Sequence, residues 1–256
     1  MRAGEGGALS VHPSVLRGFG DAAERYERAR PDYPLDAVAW LAERLELRPG
    51  GTVVDLAAGT GKLTRMLVPT GARVIAVEPV AGMRAQLEQA VPEVETIAAY
   101  AESMPFEDAS VDAVTSAQAF HWFATEEALD EIARVLRPGG RLGLVWNSRD
   151  PEDPIQQVLT GLIEPLRTDE QTHVGQGWRE IVEAHARFGP IEEREFDHEQ
   201  VLTADGLADR ILSISFVAVL PPERQAEVAE QARSLASSGE VRIRYVTTAY
   251  VTPQLD

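Results

Sequence analysis

The chain has 256 residues, with 24 Lys and Arg against 41 Asp and Glu. Its formal net charge of −17 repels nucleic-acid phosphates and anionic membrane surfaces, so neither nucleic acid nor membrane is an expected partner. It has no cysteine, which excludes disulfides, thiolate catalysis and Cys-ligated zinc or iron–sulfur centres.

Residues 1–12 are Gly-rich and lack the apolar core of a signal peptide. The longest apolar stretch, Ile211 to Leu220, holds two serines and is too short to span a bilayer. A cytoplasmic chain is expected. From Val15 to Arg30 the pattern is helical and amphipathic, and the prolines at Pro31 and Pro34 force an extended turn. A second helix is predicted over 35–45, with Val38, Leu41 and Leu45 on one face. Pro49-Gly50-Gly51 then turns the chain into a strand.

The next hundred residues alternate. Strands are predicted at 52–56, 73–78, 94–99, 111–116 and 141–147, and helices at 62–69, 80–90, 125–136 and 154–164. Val/Ile-rich runs of this kind suit a parallel sheet covered on both faces. Arg137-Pro138-Gly139-Gly140 reads as a helix stop and turn before the fifth strand. Two more strands, 191–198 and 241–250, enclose helical segments at 204–219 and 222–237. That long excursion suggests a cap over a site.

The most informative stretch is Val53-Val54-Asp55-Leu56-Ala57-Ala58-Gly59-Thr60-Gly61, a β-branched run ending on an acid and followed by two glycines. Gly59 and Gly61 let backbone approach a ligand closely, and a helix N-terminus follows. The next strand ends on a second acid, Glu78, where a carboxylate can accept two hydrogen bonds from vicinal ribose hydroxyls. Taken alone, Glu78 reads first as a solvated strand end, and its spacing from Asp55 reverses that reading. A dinucleotide fingerprint would place a third glycine where Thr64 stands. Asp55 would repel a pyrophosphate and suits a cofactor with a cationic end, such as S-adenosylmethionine.

These residues resemble class I S-adenosylmethionine-dependent methyltransferases, in particular the small-molecule "type 11" group. Val53 to Gly61 resembles the cofactor glycine motif, Val77-Glu78-Pro79 the ribose motif, and Ala101-Glu102-Ser103-Met104-Pro105-Phe106 the loop that meets the adenine. Val111-Asp112-Ala113-Val114 and the run from Glu131 to Gly140 follow in the family's order. Ala57 departs from the pattern, which usually has glycine there. Alanine is harmless at that position unless it needs a positive φ.

The resemblance implies a Rossmann-like, doubly wound, mostly parallel seven-stranded sheet with a helical cap. It implies one methyltransferase domain over 1–256: a closing helix at 1–34, a cofactor core at 35–199, a cap at 200–240 and a last strand at 241–256. It places Tyr26, Arg30, Asp55, Ala57, Gly59, Gly61, Glu78, Pro79, Met83, Ala101, Glu102 and Gln118 at the cofactor. Phe19, Tyr26, Arg30-Pro31 and Tyr33-Pro34 match a segment that closes over it, Tyr26 shielding the methyl region. Arg30 either pairs with the cofactor carboxylate or only packs.

Ala117-Gln118-Ala119-Phe120-His121-Trp122-Phe123 follows the fourth strand, and its His-Trp-Phe resembles relatives of trans-aconitate methyltransferase. His121 is a candidate for orienting the acceptor or taking its proton, with Tyr26 nearby, or it is a structural histidine. Trp122, Trp146 and Phe216 are acceptor-pocket walls or hydrophobic core. The expected activity is methyl transfer from S-adenosylmethionine to a small-molecule acceptor at oxygen or carbon, leaving S-adenosylhomocysteine, with no metal. An NAD-dependent oxidoreductase and a non-catalytic S-adenosylmethionine-binding protein are the alternatives. The sequence leaves oligomeric state open.

Overall fold

A computed structural model describes residues 23–167, 177–237 and 239–255. The glycine-rich start, Phe19 and the first turns of the predicted N-terminal helix lie outside the described residues.

Two helices lead in, α1 (Ala23–Ala29) and α2 (Leu35–Arg44). Then come β1 (Thr52–Leu56), α3 (Lys62–Leu67), β2 (Arg73–Val77), α4 (Ala81–Ala90), β3 (Glu95–Ile97) and β4 (Val111–Ala117). After these follow α5 (Glu126–Val135), β5 (Leu136–Arg149), α6 (Pro154–Ile163), α7 (Trp178–Ala184) and β6 (Glu192–Leu202). The last elements are α8 (Ala204–Leu212), α9 (Ser215–Ala218), α10 (Pro222–Ser234) and β7 (Val241–Pro253).

The seven strands form one sheet in the order β3-β2-β1-β4-β5-β7-β6. The first five pair in parallel, and β7 runs antiparallel between β5 and β6. The order reverses between β1 and β4, and a doubly wound sheet opens a crevice beyond the carboxyl ends of its strands at such a switch point.

Alternation along β1 explains the two cores. Val54 and Leu56 pack with Ile132, Leu136 and Phe120 on one face, and Val53 packs with Leu41, Leu63 and Leu67 on the other. A third core gathers Ile163, Leu207, Ile211, Phe216, Val228 and Tyr245 beneath the cap helices. Among the described residues no helix is long and apolar enough to cross a membrane.

Three details depart from the predicted elements. Arg137 to Gly140 belongs to β5, whose pairing with β4 shifts register between Val111 and Ala113. The turn residues therefore form an irregularity within a longer strand, which the thirteen-residue β7 extends on its other edge.

The predicted helix over 204–219 breaks at Ser213-Ile214, where Ile214 is extended (φ −77°, ψ 130°). There the Ser213 hydroxyl donates to the Arg210 carbonyl (2.7 Å), and the Ser213 carbonyl accepts from Arg30 Nη2 (2.9 Å). Side chains thus serve carbonyl groups at the end of α8 that another helical turn would otherwise bond. Finally, α7 has no counterpart in the sequence reading. It brings Trp178 to stack on Trp146, with ring centroids 4.7 Å apart.

Candidate active site

A cleft of about 1120 Å³, mouth included, opens at the carboxyl ends of β1 to β5. Each strand delivers its next residues to the wall: Ala57 to Thr60 after β1, Glu78 to Val80 after β2, and Ala99 to Glu102 after β3. Gln118 and Ala119 come after β4, and Asn147 sits near the end of β5. Tyr26, Arg30 and Tyr33 close one side, and Arg210 of α8 reaches in from the cap.

The first turn is built on left-handed residues. Ala57 has φ 54°, Gly59 φ 59° and Gly61 φ 86°. Ala57 therefore occupies the one conformation in which its departure from glycine matters, because a Cβ is strained there. Ala57→Gly is expected to stabilise the fold by about 0.5–1 kcal/mol, relief of that strain exceeding the added chain entropy. Thermal unfolding checks this, and a lowered Tm would oppose it.

Gly59 has open space where a Cβ would stand, on the cleft side. Gly61 does not line the cleft. A Cβ there would meet Leu87 Cγ at 3.0 Å, so this glycine permits α3 to pack on α4.

Glu78 is 5% exposed and lines the cleft. Its Oε2 accepts the Gly59 N–H and its Oε1 the Val80 N–H, both at 2.8 Å. Each oxygen keeps a further lone pair, so the carboxylate is held in place and can still accept from a ligand. Burial raises its pKa to about 7 against these two bonds, which lower it.

Asp55 does not reach the cleft wall. It is fully buried, accepting from Thr64 Oγ1 (2.6 Å) and Thr115 Oγ1 (3.1 Å). Burial lifts its pKa to about 6. Thr64, which stands where a third glycine would complete the dinucleotide fingerprint, is thus a partner of this acid.

Pro79, Met83, Ala101 and Glu102 also line the cleft. The loop after β3 that carries Ala101 and Glu102 is clamped from behind. Glu131 Oε1 accepts the Met104 N–H (2.6 Å), and Arg134 donates to the carbonyls of Met104 (3.2 Å) and Phe106 (2.8 Å) and to Glu131 (2.6 Å). Across the cleft, Gln118 is itself left-handed (φ 57°), and its amide donates to the Asn147 carbonyl (3.1 Å).

On the closing side, the Arg30 guanidinium lies 5.1 Å from the Tyr26 ring centroid. Arg30 Nε donates to Ser213 Oγ (3.0 Å), and Arg28 donates to Asp209 (2.7 Å), so α1 is tied to the cap helix α8.

The expected acceptor walls divide. Trp122 lines the cleft, whereas His121, Trp146 and Phe216 do not. Phe216 is 7% exposed within the cap core, under the Arg167 guanidinium (4.9 Å). Trp146 packs in a three-ring cluster with Trp178 and Tyr250, and its Nε1 donates to His121 Nδ1 (3.1 Å). That bond assigns the imidazole proton to Nε2. Burial lowers the His121 pKa to about 4, so the ring is neutral at pH 7 and a weak base. An NMR titration of His121 is expected to show a midpoint below pH 5, and a midpoint at or above 6.5 would restore the base role.

Sequence pattern did not single out Lys62 or Arg210 as site residues, although both line the cleft. Arg210 carried a readable signal. It falls one helical turn after Leu207, on the apolar face of α8, and is only 6% exposed.

A switch-point cleft with a buried acid at the tip of β2 defines the chain as a nucleotide-cofactor enzyme of doubly wound build. The family model for the methyltransferase domain matches residues 54–144. A methyltransferase-like protein of Schizosaccharomyces pombe is 35% identical over 243 residues, 92% of this chain and 94% of that one. A methyltransferase of Mycobacterium tuberculosis is 37% identical over 236 residues, 90% of this chain and 92% of that one. The solved structure of a protein described as a type II methyltransferase from Anaeromyxobacter dehalogenans is 26% identical. It covers 88% of this chain and 97% of its own, with a TM-score of 0.63. The chain belongs to the class I S-adenosylmethionine-dependent methyltransferases.

Proposed function

We propose that the chain methylates a small-molecule acceptor at oxygen or carbon. Glu78 carries the reading. It is a buried carboxylate fixed by two backbone N–H groups at the cleft wall, with lone pairs left for a pair of ribose hydroxyls. S-adenosylmethionine supplies an activated methyl group when bound.

The chain's own residues bind, orient and exclude water. Met83, Pro79 and Ala101 offer apolar surface beside Glu78 for a base. Glu102 offers a carboxylate at the same wall, and the left-handed turn from Ala57 to Gly59 lets backbone approach closely. Gln118 and Asn147 line the polar end, and Arg30 is suited to a carboxylate there. Tyr26, Tyr33 and Trp122 wall off solvent where the acceptor enters. Most of the rate advantage then comes from positioning and desolvation. His121 sits off this wall with Nδ1 occupied, so its role in this scheme is to hold Trp146 and the loop after β4.

Calorimetry with S-adenosylhomocysteine and with NAD, followed by transfer of a labelled methyl group across a metabolite library, tests the proposal. Binding of S-adenosylhomocysteine with transfer to one acceptor class is expected. Binding of NAD alone would favour an oxidoreductase, and cofactor binding with no transfer anywhere would favour a non-catalytic binder.

A further inference from the structure

Three arginines converge where the cap meets the cleft. Arg30 comes from the segment after α1, Arg149 from the end of β5 and Arg210 from α8. Arg30 and Arg210 line the cleft. Arg149 stands close enough behind them that Arg30 feels its charge, and both Arg30 and Arg149 feel that of Arg210. Their other contacts are neutral. Arg30 donates to Ser213 Oγ and O, Arg149 to Thr160 Oγ1 (3.4 Å), and Arg210 Nε to the Tyr245 hydroxyl (2.9 Å). The Arg210 Nη1 is buried with no hydrogen-bond partner among the described residues.

Among the described residues no carboxylate lies within 4 Å of any of the three. The nearby Glu164 pairs with Arg167 instead, at 3.0 Å. Burial and mutual repulsion lower the pKa of Arg30 and of Arg149 to about 10, still well above neutrality, so the cluster stays charged.

Arg210 is buried and Arg30 and Arg149 are half-buried, and a like-charged group withdrawn from water without counter-ions is costly to fold and marks a place where a ligand supplies the missing charge. The cofactor does not supply enough. S-adenosylmethionine carries a sulfonium, an ammonium and one carboxylate, so it adds net positive charge to the same cleft. Its single carboxylate can occupy one guanidinium and leaves the others unbalanced.

We propose that Arg210, backed by Arg149, anchors an oxyanion of the methyl acceptor, so that the acceptor is a compound bearing a carboxylate or a phosphate group. This rests on the methyltransferase reading and deepens it. The guanidinium fork suits either oxyanion. The anionic group is an anchor, and the atom that receives the methyl lies elsewhere on the acceptor.

The test titrates glutarate, inorganic phosphate and neutral glutaramide into the full chain saturated with S-adenosylhomocysteine, by calorimetry and thermal shift. At least one oxyanion is expected to bind and raise the Tm while glutaramide does not. Glutarate alone indicates a carboxylate acceptor, and phosphate alone a phosphate ester. Arg210→Gln is expected to weaken that binding by about tenfold or more, with Arg210→Lys intermediate.

Without ligand, Arg210→Gln is expected to keep or raise the Tm, because it removes an unpaired buried cation. A lowered Tm would make Arg210 a strut for Tyr245 and overturn the proposal. Oxyanion binding no stronger than that of glutaramide, binding indifferent to Arg210, or displacement of the oxyanion by S-adenosylhomocysteine would each overturn it as well. The affinity for S-adenosylhomocysteine is read in the same experiment. Its absence would sink the methyltransferase reading, and the same titrations into the chain alone then read the anion site separately.

Discussion

Glu78→Ala is expected to weaken S-adenosylhomocysteine binding by about 30- to 150-fold, about 2–3 kcal/mol, the range for hydrogen bonds to a charged acceptor. The loss has two parts. The carboxylate no longer accepts from the ribose hydroxyls, and the N–H groups of Gly59 and Val80 lose their partner at 2.8 Å. The second part loosens the turn that approaches the ligand most closely. Glu78→Gln separates the two. Its amide oxygen can still accept one backbone N–H, but its NH2 faces donors and cannot accept from them. An affinity between those of the wild type and Glu78→Ala is therefore expected. Unchanged affinity in Glu78→Ala would remove the ribose assignment and with it the main support for the cofactor's orientation.

The parts of this site that were legible in the sequence are those that depend on one strand and its next few residues. Gly59, Glu78 and Gln118 each follow a Val/Ile-rich run, and a parallel strand can deliver its next residues only to the carboxyl edge of the sheet. What pattern could not supply is the direction of side chains whose neighbours come from far along the chain. Trp146 lies near the carboxyl end of β5, which runs on to Arg149, yet its ring turns onto Trp178 of a seven-residue helix with no visible periodicity. His121 follows it through the indole hydrogen bond. Phe216 lies on a cap helix whose apolar face has its own core to fill. The acid of the first strand also misled. Asp55 sits at the right place in the motif, but two threonine hydroxyls, one of them nine residues ahead, hold it behind the wall.

That buried pair of acids gives the second large effect, on stability. Asp55 rises from 3.8 to about 6 and Glu78 from 4.5 to about 7, in each case chiefly through burial. Between about pH 4 and 7 the folded chain holds protons that the unfolded chain has lost, so these groups' stabilisation, complete below pH 4, disappears as pH rises through 6–7. Each shift corresponds to about 3 kcal/mol.

Asp55→Asn keeps the shape, and its amide can still bond both threonine hydroxyls, so it removes the buried charge without leaving an orphan. Relative to wild type it is expected to be nearly neutral at pH 4. At pH 8 it is expected to be more stable by up to about 3 kcal/mol, or roughly 6–12 °C in Tm. Taking the difference between variant and wild type cancels the repulsion from the net charge of −17.

Cofactor affinity has the opposite pH sense. Ribose hydroxyls donate to the charged form of Glu78, so binding strengthens as pH rises through 7 while the free fold weakens. Asp55→Asn keeps the pH sense of binding, because Asp55 is not on the cleft wall, and touches it only by lowering the Glu78 pKa through the lost Asp55 charge, whereas Glu78→Gln flattens both curves. Differential scanning calorimetry from pH 4 to 8 with and without S-adenosylhomocysteine reads the two curves together. A pH-independent difference for Asp55→Asn, or a lower Tm at pH 8, would show that Asp55 is ionised in the fold at no cost and that its two hydroxyl partners outweigh burial.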